Sequence, residues 1–310
     1  MATPFHPIPF RDLPEEPRIG HAWGKTRGED AVVPSKHFGR LRTHVRRFGK
    51  GPPLLLVHGL MTSSYSFRYV FEPLGVHFET IAIDLPGAGR TDKPDVSYGP
   101  RELATFLGEA MRELGIYGCP VVGNSMGGYL TMWLALEEPS SMSRLVDLHS
   151  PGLATARMVA LGGVARLPIF TPAVDRLVRR DPEAWAHKNV HYYDETLKSR
   201  EEAREYAEPL RSPEGRRAFA RHLRDALAVG PMRDFERRLR ALEGTFPVPL
   251  LMIYARRDPM VPPSVGERLR EILPSAKFHW LEEASHFAHV DAPQAFLEAS
   301  LPFLLDAEGV

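Results

Sequence analysis

Short apolar runs alternate with longer amphipathic ones along most of the chain. The runs at 54–57, 80–84, 121–122, 144–148, 248–254 and 277–281 are of strand length, and the most apolar of them have the pattern of strands covered on both faces. Residues 41–47 alternate as a further strand and run into the turn signal Gly49-Lys50-Gly51-Pro52-Pro53. Helical periodicity predicts helices at 66–74, 101–114, 127–138, 264–273 and 293–304. Strands alternating with helices predict an α/β fold with a mostly parallel central sheet flanked by helices.

One stretch breaks this rhythm. Between 152 and 242 no strand pattern occurs, and helices are expected at 153–167, 171–179, 183–192, 195–206, 213–227 and 232–242. An all-helical insert after the sixth core strand reads as a cap, with its last helix returned to the core. The expected organisation is an N-terminal arm at 1–37, extended or partly disordered, a core formed by 38–151 and 231–310, and a helical cap at 152–230. Pro4, Pro7, Pro9, Pro14 and Pro17 account for the irregular reading of the arm, and regular structure is expected from Phe38.

Composition narrows the function classes. Lys+Arg and Asp+Glu both total 39 in 310 residues, so there is no bulk attraction for nucleic acid or an anionic membrane. The run Arg237, Arg238, Arg240 reads as the solvated face of a helix. Cys119 is the single cysteine, which excludes an intrachain disulfide and a cysteine-built metal site. The chain lacks a secretory leader pattern and an apolar stretch long enough to span a bilayer, so a cytoplasmic location is expected.

The segment 121–128 carries the chemistry. Gly123, Ser125 and Gly127 fit G-x-S-x-G, placed between an apolar strand and a helix. The glycines permit a sharp turn that leaves the serine exposed at the sheet edge, with the following helix's amides facing developing negative charge. A phosphate loop is excluded, because no lysine follows at the spacing that motif requires. The Met126 amide is one candidate donor to an oxyanion. Leu60, after the strand and turn Val57-His58-Gly59, supplies the other. His58 itself is expected to brace that loop.

A serine needs a base, and the base an orienting carboxylate. Asp258 follows the strand at 248–254, and His286 follows the strand at 277–281, giving the order Ser, Asp, His. His289 is the rival base and Asp147 the rival acid.

With these residues placed, the chain resembles the α/β-hydrolase fold superfamily over residues 38–306. The resemblance rests on His58-Gly59, the stretch from Asp84 to Asp92 with Thr91 where Ser is usual, the turn at Ser125, the Asp258 turn, and the stretch from Ser285 to Pro293. It implies Ser125, Asp258 and His286 as catalytic residues, the Leu60 and Met126 amides as the oxyanion hole, and no cofactor. The overall style is similar to the capped branch of haloalkane dehalogenases and epoxide hydrolases, but those attack with aspartate. A serine points instead to esterases, or to the C–C bond hydrolases of aromatic degradation. The latter typically carry Ser-Gly-Pro-Gly after His-Gly, where this chain has Leu60-Met61-Thr62-Ser63. A catalytically inactive binding module is the reading from a different class. A small apolar acyl substrate is expected, with Phe170, Trp185, Tyr192 and Tyr193 as candidate lining residues.

Overall fold

The computed structural model describes residues 4–226 and 228–306. Eight strands form one sheet: β1 (Arg27–Ser35), β2 (Gly39–Phe48), β3 (Pro53–Val57), β4 (Glu79–Ile83), β5 (Val121–Asn124), β6 (Leu145–Leu148), β7 (Leu250–Ala255) and β8 (Lys277–Leu281). Their order is β1-β2-β4-β3-β5-β6-β7-β8. β1 and β2 pair antiparallel, as do β2 and β4, and every other neighbour is parallel.

The apolar runs are explained by the pleat. Leu55 and Val57 of β3 face one core, and Leu54 and Leu56 the other. β7 divides likewise, with Met252 and Tyr254 on one face and Leu251 and Ile253 on its opposite. Helices cover both layers. They are α1 (Phe71–Leu74), α2 (Pro100–Glu113), α3 (Met126–Glu137), α4 (Ala156–Ala165), α5 (Phe170–Val178), α6 (Pro182–Asn189), α7 (Arg200–Ala207), α8 (Pro213–Arg221), α9 (Val229–Arg240), α10 (Pro263–Ile272), α11 (Ala288–Asp291) and α12 (Pro293–Leu304). α2, α3, α9 and α10 bury residues in the first core, α1 and α12 in the second.

Chain direction across the sheet reverses between β3 and β5. β4 and β2 lie on one side of that pair and β6 to β8 on the other. Loops leaving the carboxyl ends of β3 and β5 therefore open a crevice at the switch point. The Gly59 and Ser125 turns lie there.

Two expectations are corrected. Regular structure begins before Phe38, because Arg27–Ser35 is a strand. Its alternation is masked by charge on the solvent side, and Pro34 is tolerated because β1 is an edge. The expected helix at 66–74 is split into a 3₁₀ turn at Ser64–Phe67 and the single turn α1. The Asp84 carboxylate accepts from the Ser64 amide at 2.7 Å and fixes that break. The N-terminal arm makes hydrogen bonds to the insert where described. His187 donates to the Ile8 carbonyl at 2.7 Å, and the amides of Arg200 and Glu201 donate to Pro14 and Glu15. Residue Leu227 of the expected helix 213–227 lies outside the described residues, and that helix continues past α8 as a π-helical turn at His222–Ala226.

The insert lies against the core through buried polar contacts. Arg68, fully buried, pairs with Glu202 of α7, which also accepts from the Tyr192 hydroxyl at 2.7 Å. α9 closes the insert by placing Phe235 edge-on to Tyr129 and beside Trp133, with centroids 4.9 and 5.4 Å apart.

Candidate active site

Ser125 adopts φ 54° and ψ −119°, a backbone conformation that L side chains rarely occupy. Its neighbours explain how it is held. A Cβ on Gly127 would lie 2.2 Å from the Val57 carbonyl oxygen, and one on Gly123 would lie 2.6 Å from Thr131 Oγ1. The turn is packed so closely that only glycine fits, and the Ser125 amide is tied to the Leu148 carbonyl at 2.7 Å. Ser125 itself is partly exposed at the N-terminus of α3.

The β3 loop abuts this turn, since a Cβ on Gly59 would stand 3.0 Å from Ser125 Cβ. His58 is buried and braces the loop as expected. Its Nδ1 donates to the Gly59 carbonyl at 2.7 Å, and its Nε2 accepts from the Leu85 amide at 3.1 Å. Burial holds this imidazole neutral by lowering its pKa. The Leu60 and Met126 amides donate to no protein acceptor among the described residues. Both residues line the cavity beside the serine turn.

His286 and Asp258 meet at the same sheet edge. Nδ1 of His286 is 2.6 Å from Asp258 Oδ2, and both side chains are buried. Asp258 Oδ1 accepts from the Met260 and Val261 amides at 2.7 and 2.9 Å. Burial alone would raise the Asp258 pKa, but the neighbouring His286 and these hydrogen bonds hold it below the usual carboxylate range. The His286 loop is fastened to the serine turn by Asn124, whose Nδ2 donates to the His286 carbonyl at 3.2 Å.

The rivals are placed elsewhere. His289 is fully buried against Phe67, and Asp258 pairs with His286. Asp147 lies under the turn, where a Cβ on Gly128 would come within 2.1 Å of it. Burial raises its pKa to about 8.

Sequence reasoning missed His149. It follows β6 directly, on the strand-end edge that a parallel sheet uses for chemistry, and that position was the available signal. Its φ is 59°, and Nε2 accepts from the Ala255 amide at 2.8 Å. The ring lies 5.5 Å from that of His286, and burial lowers its pKa to about 3, so it stays neutral. One ligand atom from each of His149, Asp258 and His286 lies within 4.8 Å of the others. Hydrogen bonds already engage His286 Nδ1 and His149 Nε2.

A small cavity lies against Gly59 and Met126, on the two turns that meet at Ser125. Gly59, Leu60, Met61 and Met126 form its floor, and Tyr206, Leu210, Phe219 and His222 come from the insert. His222 donates to the Pro86 carbonyl at 2.8 Å, which anchors the π-helical turn over the site.

The four aromatics expected as lining residues lie in other surroundings. None of Phe170, Trp185, Tyr192 and Tyr193 lines this cavity. Trp185 stands behind Phe219 at 5.0 Å. Tyr192 is buried in the Glu202 network, and Tyr193 packs edge-on against Phe5. Aromatics on these helices serve their packing, and helical periodicity does not reveal which face meets the core.

A family model described as alpha/beta hydrolase fold matches residues 52–293. The chain is 27% identical over 280 residues to the 2-hydroxymuconate semialdehyde hydrolase of Pseudomonas putida, spanning 87% of this chain and 92% of that protein. It is 24% identical over 270 residues to the 2-hydroxy-6-oxo-6-(2'-aminophenyl)hexa-2,4-dienoic acid hydrolase of Metapseudomonas resinovorans, spanning 86% and 88%. The solved structure of the epoxide hydrolase CorEH superposes with a TM-score of 0.76 at 21% identity, covering 91% of this chain and 99% of that one.

Proposed function

Because the chain belongs to the α/β-hydrolase family, we propose that it is a serine hydrolase that cleaves a neutral carboxylic ester through an acyl-enzyme. In this reading His286 takes the Ser125 proton as Ser125 attacks the ester carbonyl. The Leu60 and Met126 amides hold the oxyanion. Collapse expels the alcohol, protonated by His286, and water repeats the cycle on the acyl group. Asp258 keeps Nδ1 engaged, which leaves Nε2 as the proton carrier.

The observation that carries the reading is the left-handed Ser125 at the sheet edge, tied through Asn124 to a hydrogen-bonded Asp258–His286 pair. A serine does not form the alkyl ester through which aspartate opens epoxides, so epoxide hydrolysis is disfavoured.

C–C bond hydrolysis is the second reading, favoured by the names of the two relatives. Both names specify a carboxylate, and a carboxylate substrate calls for a cation. No Lys or Arg is among the residues lining the cavity at the turn, which favours the ester.

A fluorophosphonate probe is expected to label the native protein and to leave Ser125→Ala unlabelled. p-Nitrophenyl esters of increasing chain length then separate the readings. Turnover of at least one ester supports the proposal. Labelling without turnover of any ester favours the C–C hydrolase, and equal labelling of both proteins removes the serine mechanism.

A further inference from the structure

Exposed apolar residues are concentrated in one place. Val159, Leu161, Val164, Leu167, Ile169 and Leu177 are each at least 44% exposed, and the other large exposed apolar residues are scattered singly. All six belong to α4, α5 or the turn between them. α5 buries only Val178. Such a concentration of exposed apolar residues marks an interaction surface.

The same segment is basic although the chain as a whole is neutral. Residues 156–180 hold Arg157, Arg166, Arg176, Arg179 and Arg180 against the single acid Asp175. Asp175 is engaged by Arg216 at 2.7 Å and by Arg179 at 3.9 Å. Arg166, Arg176 and Arg180 are exposed and have no carboxylate partner among the described residues.

We propose that α4 and α5 dock this protein on an anionic lipid surface, with the six apolar side chains in the acyl boundary and Arg166, Arg176 and Arg180 at the headgroups. Helices of 10 and 9 residues reach about 15 and 14 Å, half of the ~30 Å hydrocarbon thickness, so they lie in the interface and do not span it. Their axes meet at 96°. A second copy of the chain is a poorer occupant, because two-fold pairing would set this net positive patch against itself.

The location has a functional consequence. Leu161 and Met158 also line a cleft with Leu60, Met61, Pro259 and Val261, next to the candidate site. Docking would place the mouth of that cleft against the lipid. The docking surface itself does not depend on which bond the site cleaves.

The test is co-sedimentation of the full chain with sucrose-loaded vesicles of phosphatidylcholine, with and without about 30 mol% phosphatidylglycerol. Binding to the anionic vesicles is expected to be at least about tenfold tighter than to the neutral ones, and to fall at about 0.5 M salt. Ile169→Asp/Leu177→Asp is expected to weaken it at least about tenfold, while fluorophosphonate labelling of Ser125 is unchanged and so reports an intact fold. Equal binding to both vesicles overturns the anionic assignment. Absence of binding, or self-association abolished by the same double substitution, overturns lipid docking.

Discussion

Asp147 is a carboxyl placed where a charge has little support. Tyr254 has one hydroxyl proton and two neighbours, the Ser150 carbonyl at 2.8 Å and Asp147 Oδ2 at 3.2 Å. The carbonyl can only accept, so both contacts are satisfied when Asp147 is protonated and donates to the Tyr254 oxygen. This agrees with a pKa raised by burial to about 8. The unfolded chain releases this proton near pH 4, whereas the folded protein keeps it until about pH 8. Stability is therefore drawn down as pH rises through that window. Asp147→Asn keeps a donor to Tyr254 and has nothing to ionise. Its stability relative to the native protein is expected to improve progressively from pH 5 to pH 9 in urea unfolding. A difference that is flat with pH would refute the protonated carboxyl.

Among the elements, α9 shows how the insert is returned to the core. Phe235 is fully buried and contacts Tyr129 and Trp133 of α3, the helix that begins at Ser125. Phe235→Ala is expected to cost about 3–5 kcal/mol, read from the urea midpoint. A loss below about 1 kcal/mol would mean that α9 is not part of this core. Elements of this kind were legible in sequence because burial on one or both faces leaves a periodic record. The strands from β2 to β8 and the helices flanking the sheet left one, and so did the serine turn, whose glycines are required by backbone contacts. β1 left little, because charge covers its open face. The cavity lining left none, since it depends on which distant elements come together, and His149 left only its position after β6. Asp258 and His286 were legible because each follows a strong strand on the edge where Ser125 lies.

The whole molecule depends on a buried ion pair between core and insert. Arg68 and Glu202 have side chains 0% and 4% exposed. Arg68→Met leaves the Glu202 charge buried and unpaired, with an expected loss of about 3–5 kcal/mol. Adding Glu202→Gln removes that charge and is expected to restore much of the loss in chemical denaturation. A double variant no more stable than Arg68→Met would show that charge is not the cause. The N-terminal segment adds a second tie, as Ile8, Pro14 and Glu15 are bonded to α6 and α7, with the Ile8 and His187 partners 179 positions apart. That separation bears on synthesis. Ile8 leaves the ribosome 179 residues ahead of His187, so this latch closes late, and a chain not yet extended to α6 and α7 carries the segment loose.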